Sequence, residues 1–452
     1  MAASLLRTGG RRVAVVGVAL ADCGRVDGAT PYTLHAQAAR RALADSGLDR
    51  SVVDGFASAG TGVLAPVEVA EYLGLRPTWV DSTSVGGSTW EVMAAHAADA
   101  IAAGHANAVL LVYGSTARAD IKAGRRTGNL SFGARGPLQF EVPYGHTLIA
   151  KYAMAARRHM LEHGTTLEQL AEVAVQAREN AARNPEAMFR DPVTVDDVLS
   201  GPMIADPFTK LHCCIRSDGG AAVLLAAEEY VQDSRAAPVT ILGTGEHVSH
   251  ATMSEWPDFT VSPAAVSGRL AFERAGVRAA DIELAEIYDA FTYMTLVTLE
   301  DLGFCKKGEG GAFVQSRELP VNTDGGGLSA QHPGMRGLFL LVEAVRQLRG
   351  GSGRTPSPPH GRDLAGAGGG IRDRGLVLLV GDGGAGAGVN PQRDTLTTAV
   401  SSAGSGSRRP TSHGLNGFLS SRRTVPSPGS PRVIVNAKVW VSSGSRALTS
   451  QV

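Results

Sequence analysis

The chain has 452 residues, 43% of them hydrophobic, and its 43 Lys and Arg are balanced by 43 Asp and Glu. That length can bury a large core in two or three domain-sized units, and the balanced charge argues against a nucleic-acid protein as a whole. Four cysteines without CxxC spacing argue against a disulfide framework, and neither a bilayer-spanning apolar run nor a signal-peptide core is present, so a soluble, cytoplasmic protein with reduced thiols is expected.

From Arg12 an apolar strand, RVAVVGVAL, leads to a helix carrying Leu34, Ala38 and Leu43, then to a turn, ADSGLDRSVVDGF, ending at Phe56. STSVGGSTW next feeds a helix running to Ala103, and ANAVLLVYG reads as a buried strand. Residues 115–217 are more polar and largely helical, and Thr166 and Gln169 have the spacing of a capping box. An excursion of this length reads as a lid or substrate-shaping insertion, and it re-enters the core as a strand from Ala221.

The order of elements then repeats. VTILGTGEH from Val239 is followed by a helix around Leu270 and by ERAGVRAADIELAEIYDAF ending at Phe291; both copies stop a helix at a glycine, Gly47 and Gly276. NTDGGGLSAQHPG leads into a helix to Arg349, and the strand DRGLVLLVGD from Asp373 matches ANAVLLVYG. Two βαβ-rich halves, each with a glycine loop feeding a central helix, predict a pseudo-twofold layered α/β domain whose paired loops meet at one pocket. The expected units are 1–238, 239–383 and a Gly/Ser/Arg/Pro-rich tail, 384–452, that reads as disordered except for VIVNAKVWV from Val433, which could add a strand.

Asn322 to Gly337, NTDGGGLSAQHPGMRG, is the segment richest in chemistry. Gly325 to Gly327 let a ligand approach the main chain. His332 precedes the apolar helical pattern Leu338, Leu341, Val342, Val345 and Leu348, which places it at a helix N-terminus, where anions and a neutral imidazole are favoured.

Five ordered motifs between Arg12 and Asp382 carry a family resemblance: STSVGGST, DPFTKLHCCIRSDGGAA, EIYDAF at Glu286 to Phe291, LEDLGFC and NTDGGGLSAQHPG. In them the chain resembles thiolases, and within these the lipid-transfer-protein branch related to sterol carrier protein thiolases. The resemblance implies a duplicated, layered αβαβα thiolase fold, a homodimer, coenzyme A thioester substrates and no permanently bound cofactor or metal. A thiolase of this branch carries a nucleophilic cysteine where this chain has Ser84, a histidine where it has Tyr288, and a second cysteine absent from GAGGGI at Gly366 to Ile371. Of that acid-base set His332 remains.

This pattern is similar to the thiolase-like aldolases that cleave steroid side-chain coenzyme A thioesters, which work with a small partner bearing an OB-fold and often a zinc ribbon. A retro-aldol needs a base for a β-hydroxyl and an oxyanion site for the thioester enolate, not an acyl-enzyme. Tyr288 is the expected base, ionised or linked to a proton acceptor. His332 with amides of the glycine turns, around Ser84, Gly86, Gly87, Asn322, Gly326 and Gly327, would form the oxyanion site. Relatives of the aldolase type have a tyrosine at the place of Arg336, which could instead pair with a substrate anion. Cys305 and His146 are further candidates against a packing role, and Lys122, Arg125 and Arg126 could meet coenzyme A phosphates. The alternatives are an acyltransferase using Ser84 or another nucleophile, and a non-catalytic lipid or acyl-coenzyme A binding protein.

Overall fold

Val13, Val15, Val18 and Leu20 point into one buried layer and Val16 and Ala19 into another, so strand β1 (Val13–Leu20) is covered on both faces. The alternation skips a residue at a bulge between Val15 and Gly17, where the register against the neighbouring strand shifts. Helix α1 (Pro31–Ser46) crosses just there. A Cβ on Gly17 would lie 2.4 Å from the carbonyl oxygen of Ala42. In this computed structural model the residues described are 10–59, 64–124, 137–144, 147–250, 252–350, 375–383 and 432–437, the last two segments by their backbone only.

The first half continues through β2 (Gly55–Ala57), α2 (Ala65–Tyr72), β3 (Trp79–Asp81), α3 (Thr89–Ala102) and β4 (Ala108–Ser115). The insertion holds α4 (Ala117–Lys122), α5 (Leu148–His163), α6 (Leu167–Ala182), α7 (Val195–Leu199) and a short hairpin, β5 (Met203–Ala205) with β6 (Phe208–Thr209). It is helical, as its pattern predicts, and Thr166 and Gln169 close the expected capping box. The chain returns through β7 (Gly219–Ala227) and α8 (Glu228–Val231).

The second half comprises β8 (Val239–His250), α9 (Ala264–Ala275), β9 (Leu284–Ile287), α10 (Thr292–Asp301), α11 (Gly310–Ser316), α12 (Gly337–Leu348), β10 (Gly375–Gly383) and β11 (Arg432–Ala437). Gly47 and Gly276 end their helices in the left-handed conformation, with φ of 75° and 71°. Helices α3 and α12 are buried nearly all round, as a central layer requires, and share one core cluster with inward-facing strand residues. The opposite face of β1, β4 and β7 packs on α1 and α2. This is the layered α/β fold the sequence predicts.

The duplication is inexact. The strand order is β3-β2-β4-β7-β1-β8-β10-β11-β9, with antiparallel β1 and β8 joining the halves. In the first half β7 stands between β1 and β4, antiparallel to both. In the second, β10 pairs directly and in parallel with β8, and β11 fills the place between β10 and β9. The expected equivalence of β10 with β4 therefore fails in position: among the described residues the second half has no antiparallel return strand to hold β10 away from β8. The strand foreseen near Val433 does join the sheet, while the rest of the tail, 384–431 and 438–452, lies outside the described residues. Among the described residues no helix is long and apolar enough to cross a membrane.

Gly17→Val would push its side chain into the main chain of α1, and a loss of about 2 kcal/mol is expected from such overpacking. Urea unfolding of the variant checks it; an unchanged midpoint would mean that α1 moves away freely.

Candidate active site

Strand β9 ends where Tyr288 and Asp289 begin, and the turn from Asn322 is tied to it. Ile287 N–H donates to Asn322 Oδ1 at 2.6 Å, and Asn322 N–H donates to the Ala285 carbonyl at 3.0 Å. Asn322 pays for the sharp reversal with a left-handed φ of 49°. Gly326 to Ala330 then form one wide helical turn closed down on Asp289, whose carboxylate accepts from Gly327 N at 2.7 Å and Leu328 N at 3.1 Å. Glycine is required here because a Cβ on Gly326 would lie 2.0 Å from Asp289 Oδ2. Asp289 is thus a turn cap; burial raises its carboxyl to about 6, with Arg336 and the two amides opposing.

Arg336, fully buried, donates twice from one nitrogen to Asp324, at 2.5 and 2.7 Å, and once to the Gln331 carbonyl at 2.9 Å. Its Nε stands 3.7 Å from Asp289 Oδ1. The expected pairing of Arg336 with a substrate anion is therefore corrected: two carboxylates of the protein already occupy it. The amides of Gly326 and Gly327, expected to face an oxyanion, are likewise taken by Asp324 and Asp289.

His332 precedes α12 as predicted, held by its N–H to Ser217 Oγ at 2.9 Å. Its Nε2 lies 3.0 Å from the Tyr288 hydroxyl, with the rings edge to face. Burial, then Arg336, push the imidazole down to about 3, while burial pushes the Tyr288 phenol well above its ordinary value. Both partners are neutral near pH 7. Gly87 makes room for the phenol, since a Cβ there would lie 2.3 Å from the Tyr288 oxygen.

The remaining candidates divide by place. Gly86 is buried in the turn before α3 with φ of 86°, whereas Ser84 is exposed and no hydrogen bond links it to Tyr288 or His332 among the described residues. Cys305 lies beside Glu300 and Lys307 with its thiol pushed up to about 12 by burial. Lys122 is exposed at the end of α4; His146, Arg125, Arg126 and Gly366 to Ile371 lie outside the described residues. Sequence reasoning missed the loop leaving the insertion, where Cys214 N–H meets the Ala290 carbonyl at 2.8 Å and Ile215 N–H meets the Gly327 carbonyl at 2.9 Å. The run RSDGG before β7 marked a strand start, and nothing in it signalled Ser217 as the anchor of His332.

A thiolase C-terminal domain-like family model matches residues 245–381. Over 386 residues the chain is 33% identical to the 17-hydroxy-3-oxo-4-pregnene-20-carboxyl-CoA lyase of Mycobacterium tuberculosis, covering 81% of this chain and 99% of the relative. This chain belongs to the thiolase superfamily. It is also 32% identical to an acetyl-CoA acetyltransferase of Methanothermobacter thermautotrophicus, over 76% of this chain and 92% of that one. Among solved structures it resembles the Ltp2-ChsH2(DUF35) aldolase at 30% identity, with a TM-score of 0.70 over 77% of this chain and 92% of the other. The thiolase fold therefore carries here a tyrosine–histidine pair at the point where its two central helices begin.

Asp324→Asn would leave the buried Arg336 facing a single carboxylate at 3.7 Å. A loss of about 3 kcal/mol is expected from breaking a buried pair on one side. Thermal unfolding measures it, and an unshifted Tm would show that Asp289 alone suffices.

Proposed function

We propose that this thiolase-superfamily enzyme cleaves a carbon–carbon bond in β-hydroxyacyl coenzyme A thioesters of steroid or other bulky lipid acids by retro-aldol chemistry. The observation that carries the reading is the 3.0 Å contact between Tyr288 and a neutral His332. In the reaction the substrate β-hydroxyl passes its proton to the Tyr288 oxygen while the phenol proton moves to His332 Nε2. The Cα–Cβ bond breaks, a ketone or aldehyde forms at Cβ, and the electron pair goes to the thioester enolate. The enolate carbon then takes a proton back through Tyr288, and His332 returns to neutral. Burial, and then Arg336, disfavour the imidazolium, so the proton is readily given back.

No acyl-enzyme enters this scheme, and the thiols support it: burial pushes Cys213 up to about 12 and Cys214 further, leaving no thiolate beside Tyr288. Three residues beyond Tyr288, Phe291 stacks on Phe208 at 5.5 Å and meets Tyr152 at 5.2 Å in a buried aromatic cluster, and this apolar side is the one proposed for a large acyl group. Backbone groups other than those of Gly326 and Gly327, with Ser84 and Gly86 at the mouth of α3, are the proposed oxyanion side. Coenzyme A enters as part of the substrate. The proposal includes a second copy of the chain, a small partner as in the Ltp2-ChsH2(DUF35) aldolase, and a cytoplasmic setting. Acyl transfer is the second reading, favoured by the acetyl-CoA acetyltransferase relative.

Incubated with a β-hydroxyacyl coenzyme A, the protein should release a carbonyl compound and a shorter thioester. Tyr288→Phe should lower kcat/KM by about 100- to 10,000-fold, the usual span for a lost proton-transfer group. Acyl labelling of Ser84 by a thioester donor would overturn the aldolase reading in favour of transfer.

The pH profile gives a separate check. His332 accepts only when unprotonated, and with its value near 3 it stays so throughout the mildly acidic range. Hence kcat/KM should show no histidine-type decline between about pH 7 and pH 5, where an ordinary histidine of pKa about 6.5 would become protonated. A fall centred near pH 6.5 that persists in Asp289→Asn, whose native carboxyl is itself raised to about 6, would mean that His332 is solvated during turnover.

A further inference from the structure

Glu91 stands in the first turn of α3, wholly buried, and neither carboxyl oxygen has a hydrogen-bond partner among the described residues. An ionised carboxylate in such a place is strongly disfavoured unless a cation or donors meet it. The cation nearest in sequence to its contacts, Arg336, is held by Asp324 and Asp289. Burial accordingly raises Glu91 well above the ordinary carboxylate range.

Its location gives that proton a use. A Cβ on Gly337, the first residue of α12, would lie 2.2 Å from Glu91 Oε2 and 2.6 Å from the Gly87 carbonyl oxygen. A Cβ on Gly87 would lie 2.3 Å from the Tyr288 hydroxyl. Gly337, against the carboxyl, and Gly87, against the phenol, thus touch each other at the meeting of the two central helices. The titratable and charged groups around Tyr288 are His332 from the turn before α12, Cys214 from the loop before β7, Tyr113 from β4, Glu91 from α3 and Arg336 at the start of α12, whose backbone N–H meets the phenol oxygen.

We propose that Glu91 is a positioning acid that keeps a proton beside Tyr288, and that its ionisation closes the Tyr288–His332 relay. While neutral, it adds no negative charge to the junction of α3 and α12, and negative charge can build on the phenol oxygen and the enolate during proton transfer. Once ionised, it sets a negative charge behind both and holds the phenol proton more tightly, since a charged Glu91 raises the Tyr288 phenol. The role rests on the retro-aldol relay proposed above; the protonation state does not.

Infrared difference spectra of the purified full chain, wild type against Glu91→Gln, test the acid itself. A protonated carboxyl stretch present at neutral pH and missing in Glu91→Gln is expected; its absence from the wild type at that position overturns the proposal. The pH dependence of kcat/KM on a β-hydroxyacyl coenzyme A tests the role. Wild type should fall by about tenfold per pH unit above the pH at which the infrared band disappears, and Glu91→Gln should lose that fall. Superimposable profiles would make Glu91 a merely structural acid. If no thioester turns over, the retro-aldol reading fails by itself, and the coupling is read from the ultraviolet titration of Tyr288 against Tyr288→Phe. A phenol that ionises at lower pH in Glu91→Gln supports the coupling; an unmoved one overturns it.

Discussion

The site depends on a guanidinium that has no route to water. Arg336 is fully buried, and a buried cation is tolerable only with carboxylates and acceptors in good geometry. Asp324, Asp289 and the Gln331 carbonyl supply them. The same two carboxylates cap Gly326, Gly327 and Leu328, so the charge pairing and the shape of the glycine turn are one construction. His332 lies on the chain between Asp324 and Arg336. Burial, and after it the cation that fixes the turn, keeps the imidazole unprotonated, which is the condition for it to accept a proton from Tyr288.

Convergence of the two halves on this point is a matter of missing side chains. Helices α3 and α12 can bring their first turns together because Gly87 and Gly337 offer bare backbone at the crossing. Helix N-termini carry partial positive charge, and two of them meeting at one point favour the negative charge that a thioester enolate develops. In the superfamily reading this junction serves a thiolate; here it surrounds a phenol. That replacement is why the buried cysteines, Cys213 and Cys214, can remain protonated without loss to the proposed chemistry.

Much of this was legible in the chain because periodicity and glycine placement report local events. The helix ends at Gly47 and Gly276, the capping box at Thr166, the histidine before α12 and the order of elements in the two halves all follow from a few adjacent residues. What the chain did not disclose are choices between distant partners. Arg336 read as free for a substrate anion because nothing local says that Asp324 and Asp289 will close on it. The glycine amides read as free for an oxyanion for the same reason. Likewise, strand periodicity established that residues from 375 would join a sheet but could not rank β8 above a missing return strand as their neighbour.

Thr323 Oγ lies 2.8 Å from both Glu286 Oε1 and Glu343 Oε1, and it has a single hydrogen to give. One of the two carboxyls must therefore be protonated to complete the second contact. Burial, then repulsion from Asp324, pushes both upward, in agreement with that count. Arg336 is engaged by Asp324 and Asp289, and the proton shared near Thr323 removes one of the two remaining charges. The interior of this site is thus held near neutrality by bound protons as much as by ion pairs, and a neutral Tyr288, His332 and Glu91 belong to the same economy of charge.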